Sequence, residues 1–397
     1  MRDRQGIELL EDQNLAPYAM RSKDSRGREF KKDPPHPVRT CYQRDRDRII
    51  HSAAFRKLEY KTQVFVIIEG DYYRTRLTHT LEVSQIARTI GRNLGLNEDL
   101  IEAIALAHDL GHPPFGHAGE TALNDIMRQV DSVFNHNRRG FELVSRIEKR
   151  YPHFDGLNLS REVLVGILKH ETDYDVSGFS SKYPEGPTLE AKVVDAADSL
   201  AYLNHDVDDG LKSRCITEED LKASRLWKRA LVSIRDYHSY DPEMRRYQVV
   251  KQLIDMQIRD MLQATDQRLK KLNFRSSREA QKYTAVHKKD SPIAFSPEMK
   301  KQRDSLQRLL YDKLYHHYRV VRMTSKAKRI IHDLFGVYAK DPHQLPYDIY
   351  PRGEKFTEAR RYPPKKKYEI ICNYIASMTD RSALEEHRKL FDAYTKV

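Results

Sequence analysis

Apolar residues in this chain recur at the helical interval and almost nowhere at the interval of a strand. From Thr78 onward, His79, Val83, Ile86 and Ile90 stand at 0, +4, +7 and +11, which is one helix face. The pattern predicts that this helix ends near Gly91 or Gly95. Asn97 is then expected to cap a second helix whose inward side carries Leu100, Ile101, Ile104, Ala105 and His108. Further helices are predicted over 119–130, 138–150, 160–170, 188–206, 218–235, 243–272, 298–316, 324–339 and 367–394. A helix also opens "RDRDRIIHSAAFRKLEYKTQVFV". Only "KTQVFVI" alternates well enough to be a candidate strand, and no internal repeat is visible. The expected class is all-α.

Between these patterns the composition changes. The prolines of "KKDPPHPVR" predict an irregular arm over 1–40. "KDPHQLPYDIYPRGEKF" and "RYPPKKKY" read as loops, and the basic, Ser-rich "NFRSSREAQKYTAVHKKDSPIAFSP" as a mobile connector or insertion. The expected organisation is an arm and first helix over 1–60, a core over 61–210 and a C-terminal helical region over 211–397. At 397 residues the chain can bury a large core. It has no run of 18 apolar residues and no apolar signal-peptide core in "MRDRQGIELLEDQ", and its cysteines (Cys41, Cys215, Cys372) are odd in number. A soluble cytoplasmic protein without membrane association is expected. The net charge of +12 is uneven: residues 98–210 carry 21 acidic against 10 basic residues. An acidic middle suits a cation, and basic flanks suit a polyanion.

The middle contains "AHDLGHPPFGHAGE", which crowds three histidines, an aspartate and a glutamate around Gly and Pro. His79 and His108 fall on apolar helix faces, where a lone histidine is usually a satisfied core residue. Asp109 follows His108 at a helix end. Asp198, with Val194 at −4 and Ala201 at +3, faces inward on another helix, where a carboxylate is costly unless paired or bound to metal. Asp195 lies nearly one turn earlier on that helix and competes with it. Two imidazoles and two carboxylates suit a divalent ion such as Mn, Mg, Co, Ni, Fe or Zn.

The set "H…HD…D", read as His79, His108–Asp109 and Asp198, resembles the signature of the HD-domain superfamily of metal-dependent phosphohydrolases. The strings "RTRLTHTLEV", "AHDLGHPPFGHAGE", "VVDAADSLAYLNHDVDDG", "FRKLEYKTQVF" and "NYIASMTDR" resemble the deoxyguanosine triphosphate triphosphohydrolases and their bacterial relatives over most of residues 40–390. That family places its ligand Asp four residues before a Tyr and eight before another Asp. Asp198, Tyr202 and Asp206 match, which leaves Asp195 as a supporting or surface residue.

The resemblance implies hydrolysis of a deoxynucleoside triphosphate at the α-phosphorus, releasing deoxynucleoside and tripolyphosphate. A water acidified by the metal would be the nucleophile. His117 would protonate the departing 5′ oxygen, with Glu120 orienting its ring. His136 corresponds to another active-site histidine, and Arg76, three residues before His79, would neutralise phosphate. His112 either braces the turn or touches substrate. Tyr202 would pack on the sugar and help exclude a 2′-hydroxyl, unless it is simply core, and Asp206 would bind the phosphate or the sugar side through water. Arg319 and Arg322, in the aromatic and basic segment 314–335, would line the pocket or face a neighbouring subunit. Tyr374 and Asp380 match residues near base or sugar. Lys169 and His170 read as caps in preference to phosphate contacts. A homo-oligomer, a hexamer among the options, and single-stranded DNA or an effector nucleotide as further partners are also implied. Rival readings are a 5′-nucleotidase, a guanosine tetraphosphate hydrolase, or a single-stranded nucleic-acid binder with a structural HD core. The "GYP" tripeptide of an HD-type cyclic-dinucleotide phosphodiesterase does not occur.

Overall fold

A computed structural model describes residues 2–63, 74–170, 183–288, 290–346 and 362–396. Among them the only regular elements are helices, as the periodicity requires. The first nine are α1 (Arg4–Asn14), α2 (Cys41–Ile50), α3 (Ala53–Lys57), α4 (Arg76–Asn93), α5 (Glu98–Ala107), α6 (Gly116–Arg128), α7 (His136–Glu142), α8 (Arg161–Leu168) and α9 (Leu189–Lys212). The rest are α10 (Glu218–Leu221), α11 (Arg225–Val232), α12 (Pro242–Leu272), α13 (Ser277–Val286), α14 (Pro297–Leu310), α15 (Tyr318–Lys340), α16 (Pro364–Ala376) and α17 (Asp380–Phe391).

Caps explain where the structure departs from the periodicity. The 1–40 segment is not all irregular: Asp3 accepts from Gly6 N and starts α1 well before the proline cluster. Ser276 likewise nucleates α13 inside the expected connector. The stretch expected as one helix over 218–235 is two, because Ser224 caps α11. Thr379 forms a capping box with Ser382 and divides 367–394 into α16 and α17. Prolines 363 and 364 open α16, since a first turn has no use for the missing N–H, so most of "RYPPKKKY" is not loop. The patterns ending at 150 and 316 close in one wide turn each, at 143–147 and 311–315. In "KTQVFVI", Lys61–Gln63 form no strand beyond a bridge between Thr62 and Thr75; the remainder lies outside the described residues.

Three apolar clusters follow from these helices. The first joins α2, α4, α5, α8 and α9, with Met261 and Leu269 of α12 packed behind. The second holds α6 against α15, α16 and α17 through Leu123, Ile126, Ile331, Leu334 and Ile375. The third packs the distal half of α9 against α11, α12 and α14 through Val207, Trp227, Leu253 and Leu306. Helix α9 belongs to two of the three. Its first turn is also tied to the arm, because the buried Glu190 accepts from the backbone N–H groups of Met20 (2.8 Å) and Asn97 (3.3 Å). No helix among the described residues is long and apolar enough to cross a membrane.

Candidate active site

Helix α5 ends where the chemistry begins. Asn97 caps its start by accepting from Asp99 N and Leu100 N, and Glu98 and Asp99 complement the positive end. After Ala107 the chain turns through His108, Asp109 and Gly111, and Pro113 and Pro114 bar any continuation of the helix. A Cβ on Gly111 would sit 1.9 Å from the carbonyl oxygen of His136 and 2.2 Å from Gly140 N. The bare backbone there is what lets α7 come close enough to bring His136 beside His112. Phe115 then adopts φ +63°, a left-handed conformation that costs a bulky residue about 1–3 kcal/mol. Asp380 holds it: one carboxylate oxygen accepts from Phe115 N (2.9 Å), the other from Thr62 N (3.0 Å) and the Thr62 hydroxyl.

His79 of α4, His108 and Asp198 of α9 bring one ligand atom each within 4.8 Å of one another, and all three are buried. His79 Nε2 lies 2.9 Å from Asp198 Oδ1 and 4.0 Å from Asp109 Oδ2, and His108 Nε2 lies 3.5 Å from Asp109 Oδ1. His108 Nδ1 is 2.6 Å from the Ala105 carbonyl, so it carries the proton and Nε2 is left with a bare lone pair. That Nε2 is buried without a hydrogen-bond partner. An unpartnered imidazole nitrogen facing two carboxylates is the donor set of a divalent cation and a poor hydrogen-bond network. The residues therefore fit a metal.

The surroundings keep both aspartates ionised. Burial disfavours the Asp109 carboxylate, but Arg76 (2.9 Å), His108 and His112 hold it well below the usual range. Asp198 behaves alike, with burial overcome by His170 and His79. His170 is not the helix cap expected from its position. Its Nδ1 donates to Asp195 (2.7 Å), which Lys192 also holds (2.8 Å), and its Nε2 lies 3.3 Å from Asp198. Burial opposes its charged form, yet these carboxylates raise its pKa well above the usual value. Asp195 thus supports His170 and is not itself in the ligand cluster.

A second group of imidazoles adjoins the first. His112 Nε2 lies 3.1 Å from Asp109 Oδ1, and its ring stacks on His136 with centroids 3.8 Å apart. Glu120 accepts from His136, and His117 Nδ1 lies 3.8 Å from the other Glu120 oxygen. His117 is the exposed member, at 42% of its side-chain surface, and its ring meets Tyr202 edge-on at 6.0 Å. Burial and then Arg76 hold His112 neutral. Glu120 stays ionised because His136, His117 and His112 outweigh its burial.

One cavity joins these groups. Its metal end is lined by Arg76, His79, Asp109, His112, His117 and Asp198, with His136 and His170 beside them. Its far end is formed by Tyr202 and Asp206 of α9, Arg303 and Gln307 of α14, and Tyr315. Tyr315 donates to Asp206, whose other oxygen is buried without a partner, and burial holds its carboxyl protonated well above the usual range. Segment 314–335 therefore reaches the cavity through Tyr315.

Arg319 and Arg322 do not line it. Arg319 is half-buried and donates to the Ser213 carbonyl (3.2 Å), and the exposed Arg322 lies over the Tyr318 ring at the start of α15. Tyr374 packs on Tyr338 in the second apolar cluster, and Asp380 clamps the 112–116 turn. Neither lines the cavity. Sequence reasoning missed His205, Glu82, Tyr315, Arg303 and Gln63. His205 was open to detection, at +7 from Asp198 on the same face of α9.

Comparison with known proteins agrees with this geometry. The family described as HD domain matches residues 76–203, and the phosphohydrolase-associated domain matches 293–389. A deoxyguanosinetriphosphate triphosphohydrolase-like protein of Geobacter sulfurreducens is 45% identical over 406 residues, covering 100% of both chains. Proteins of the same description from Ralstonia nicotianae and Bordetella pertussis are 46% and 44% identical, each over 95% of this chain and over 95% and 96% of their own. HD domains are metal-dependent hydrolases. With the ligand cluster at the meeting of α4, α5 and α9 and relatives matching end to end, this all-α chain belongs to the HD-domain phosphohydrolases of the deoxyguanosinetriphosphate triphosphohydrolase-like family.

Proposed function

We propose that the chain hydrolyses deoxynucleoside triphosphates to deoxynucleoside and tripolyphosphate. The observation that carries this reading is that the buried, unpartnered His108 Nε2 lies 3.5 Å from Asp109 and 3.7 Å from Asp198, which line the same cavity as a buried Arg76 whose Nε and NH2 also lack partners. A cation site and spare guanidinium donors side by side match a polyphosphate held at its reacting phosphorus. The cavity's lining by Tyr202, Asp206 and Tyr315 as well as by the imidazoles supports a substrate with a second, non-phosphate portion.

His79, His108, Asp109 and Asp198 would hold the divalent ion. When bound it supplies a Lewis acid and makes water a better nucleophile at neutral pH. Arg76 orients Asp109 and binds phosphate with its remaining N–H groups. His117 donates a proton to the 5′ oxygen as the bond from phosphorus to that oxygen breaks and is left neutral, with Glu120 orienting its ring. His136 and His112 keep Glu120 in place and contact the phosphates. Tyr202 stacks beneath the sugar, and the protonated Asp206 offers it a hydrogen bond.

The test is one assay: apoprotein reloaded with each of several divalent metals, incubated with each dNTP, with GTP, with a nucleoside monophosphate and with guanosine tetraphosphate, its products separated. Tripolyphosphate and deoxynucleoside are the expected products. Orthophosphate from a nucleoside monophosphate, or pyrophosphate from guanosine tetraphosphate, would replace this reading by one of the rival hydrolases.

A further inference from the structure

His79 Nδ1 lies 3.1 Å from His205 Nδ1, and His205 Nε2 lies 2.7 Å from Glu82 Oε2. The two rings meet edge-on, with centroids 5.2 Å apart and planes at 81°. His205 is 2% exposed, and Glu82 sits at the outer end of the row, where Arg74 donates to it at 2.7 and 3.3 Å. Arg74 also reaches Asp209 and Asp208 at 3.3 Å, which fixes its own position.

Each contact in this row can hold only one proton, and the row has a direction. A carboxylate accepts, so His205 Nε2 must carry hydrogen. A neutral His205 then presents a bare Nδ1, which requires His79 to donate from its own Nδ1. A neutral His79 so committed has its lone pair on Nε2, the atom facing Asp198 and Asp109. Without Glu82 the row could run the other way and leave a hydrogen on Nε2, where a metal needs none.

We propose that His205 and Glu82 are positioning residues that fix the tautomer and ring orientation of His79 and so set the affinity of the metal site. This rests on the metal reading above. Second-sphere partners of this kind are worth about 10–100-fold in metal affinity.

The experiment is calorimetric titration of Mn²⁺ into the full-length apoprotein, with the apoprotein's unfolding temperature measured alongside. His205→Leu removes both the acceptor and the donor, and should weaken Mn²⁺ binding about 10–100-fold. His205→Gln can accept from His79 through its oxygen and donate to Glu82 through its nitrogen, and should bind within a few-fold of wild type. Glu82→Gln, at a half-exposed position, should bind more weakly than wild type while the unfolding temperature stays near it. Wild-type affinity in both His205→Leu and Glu82→Gln would overturn the proposal. So would equal weakening in His205→Leu and His205→Gln, because ring packing alone would then explain the effect. A wild-type chain that binds no Mn²⁺ would remove the metal reading itself, a result distinct from either.

Discussion

Glu120 accepts from His136 twice through one oxygen, from the backbone N–H at 2.8 Å and from ring Nδ1 at 2.9 Å, while His117 lies 3.8 Å from its other oxygen. The carboxylate therefore anchors α7 first and steers His117 second. Glu120→Gln should keep the fold and the metal but lose the carboxylate that steers the His117 ring. Turnover should fall about 100-fold with unchanged metal content by elemental analysis.

His117 and His108 should separate chemistry from metal binding. His117→Ala removes an exposed ring that holds no part of the ligand cluster, so turnover should fall about 10²–10⁴-fold with metal content near normal. His108→Ala should lower both together. Nearly full turnover in His117→Ala would overturn its assignment as the acid, whatever became of His108→Ala.

Gly111→Ala tests the close approach of α7. The added Cβ would meet backbone atoms at 1.9 and 2.2 Å, which no side-chain rotation can relieve. Stability should drop by about 1–3 kcal/mol in urea unfolding, and turnover should drop with it as His136 moves away.

Lys61 gives a pH signature. Its ammonium is buried against the carbonyls of His112 and Ala376, and burial, helped by Lys57, lowers its pKa from the ordinary 10.5 to about 7. Between those values the unfolded chain binds a proton that the folded chain does not. Stability should therefore rise as pH climbs from 7 toward 10.5, by at most about 5 kcal/mol at 1.36 kcal/mol per unit. Lys61→Met should abolish that slope, measured as urea midpoints across the range.

The candidate cluster of His79, His108 and Asp198 was legible in the sequence because each member breaks a local rule. A histidine on an apolar stripe and a carboxylate facing inward stand out without any knowledge of the fold. His170 was visible but ambiguous, since a histidine ending a helix satisfies the last carbonyls equally well. Its role depends on Asp195, which only the path of α9 brings beside it. Arg319 and Arg322 had two readings, the pocket or a neighbouring subunit: their spacing put them on one face, but which way that face turned depended on where α15 starts. Tyr315, in a wide turn, belongs to no helical period at all. Helix interiors follow from periodicity, whereas breaks at Ser224 and Thr379 turn on single caps inside polar stretches.

Helix α9 carries Asp198, Tyr202, His205 and Asp206 within fewer than three turns, and its far half packs in a different apolar cluster from its near half. Substitutions along it act one residue at a time. Inserting or deleting a single residue between 198 and 202 would instead swing everything downstream by about 100°. Tyr202, His205 and Asp206 would turn away from Asp198 in one step, or the distal core would unpack to prevent it. Such a length change could be accommodated only outside this stretch, so the reading frame of four side chains is locked by geometry more tightly than their individual identities are.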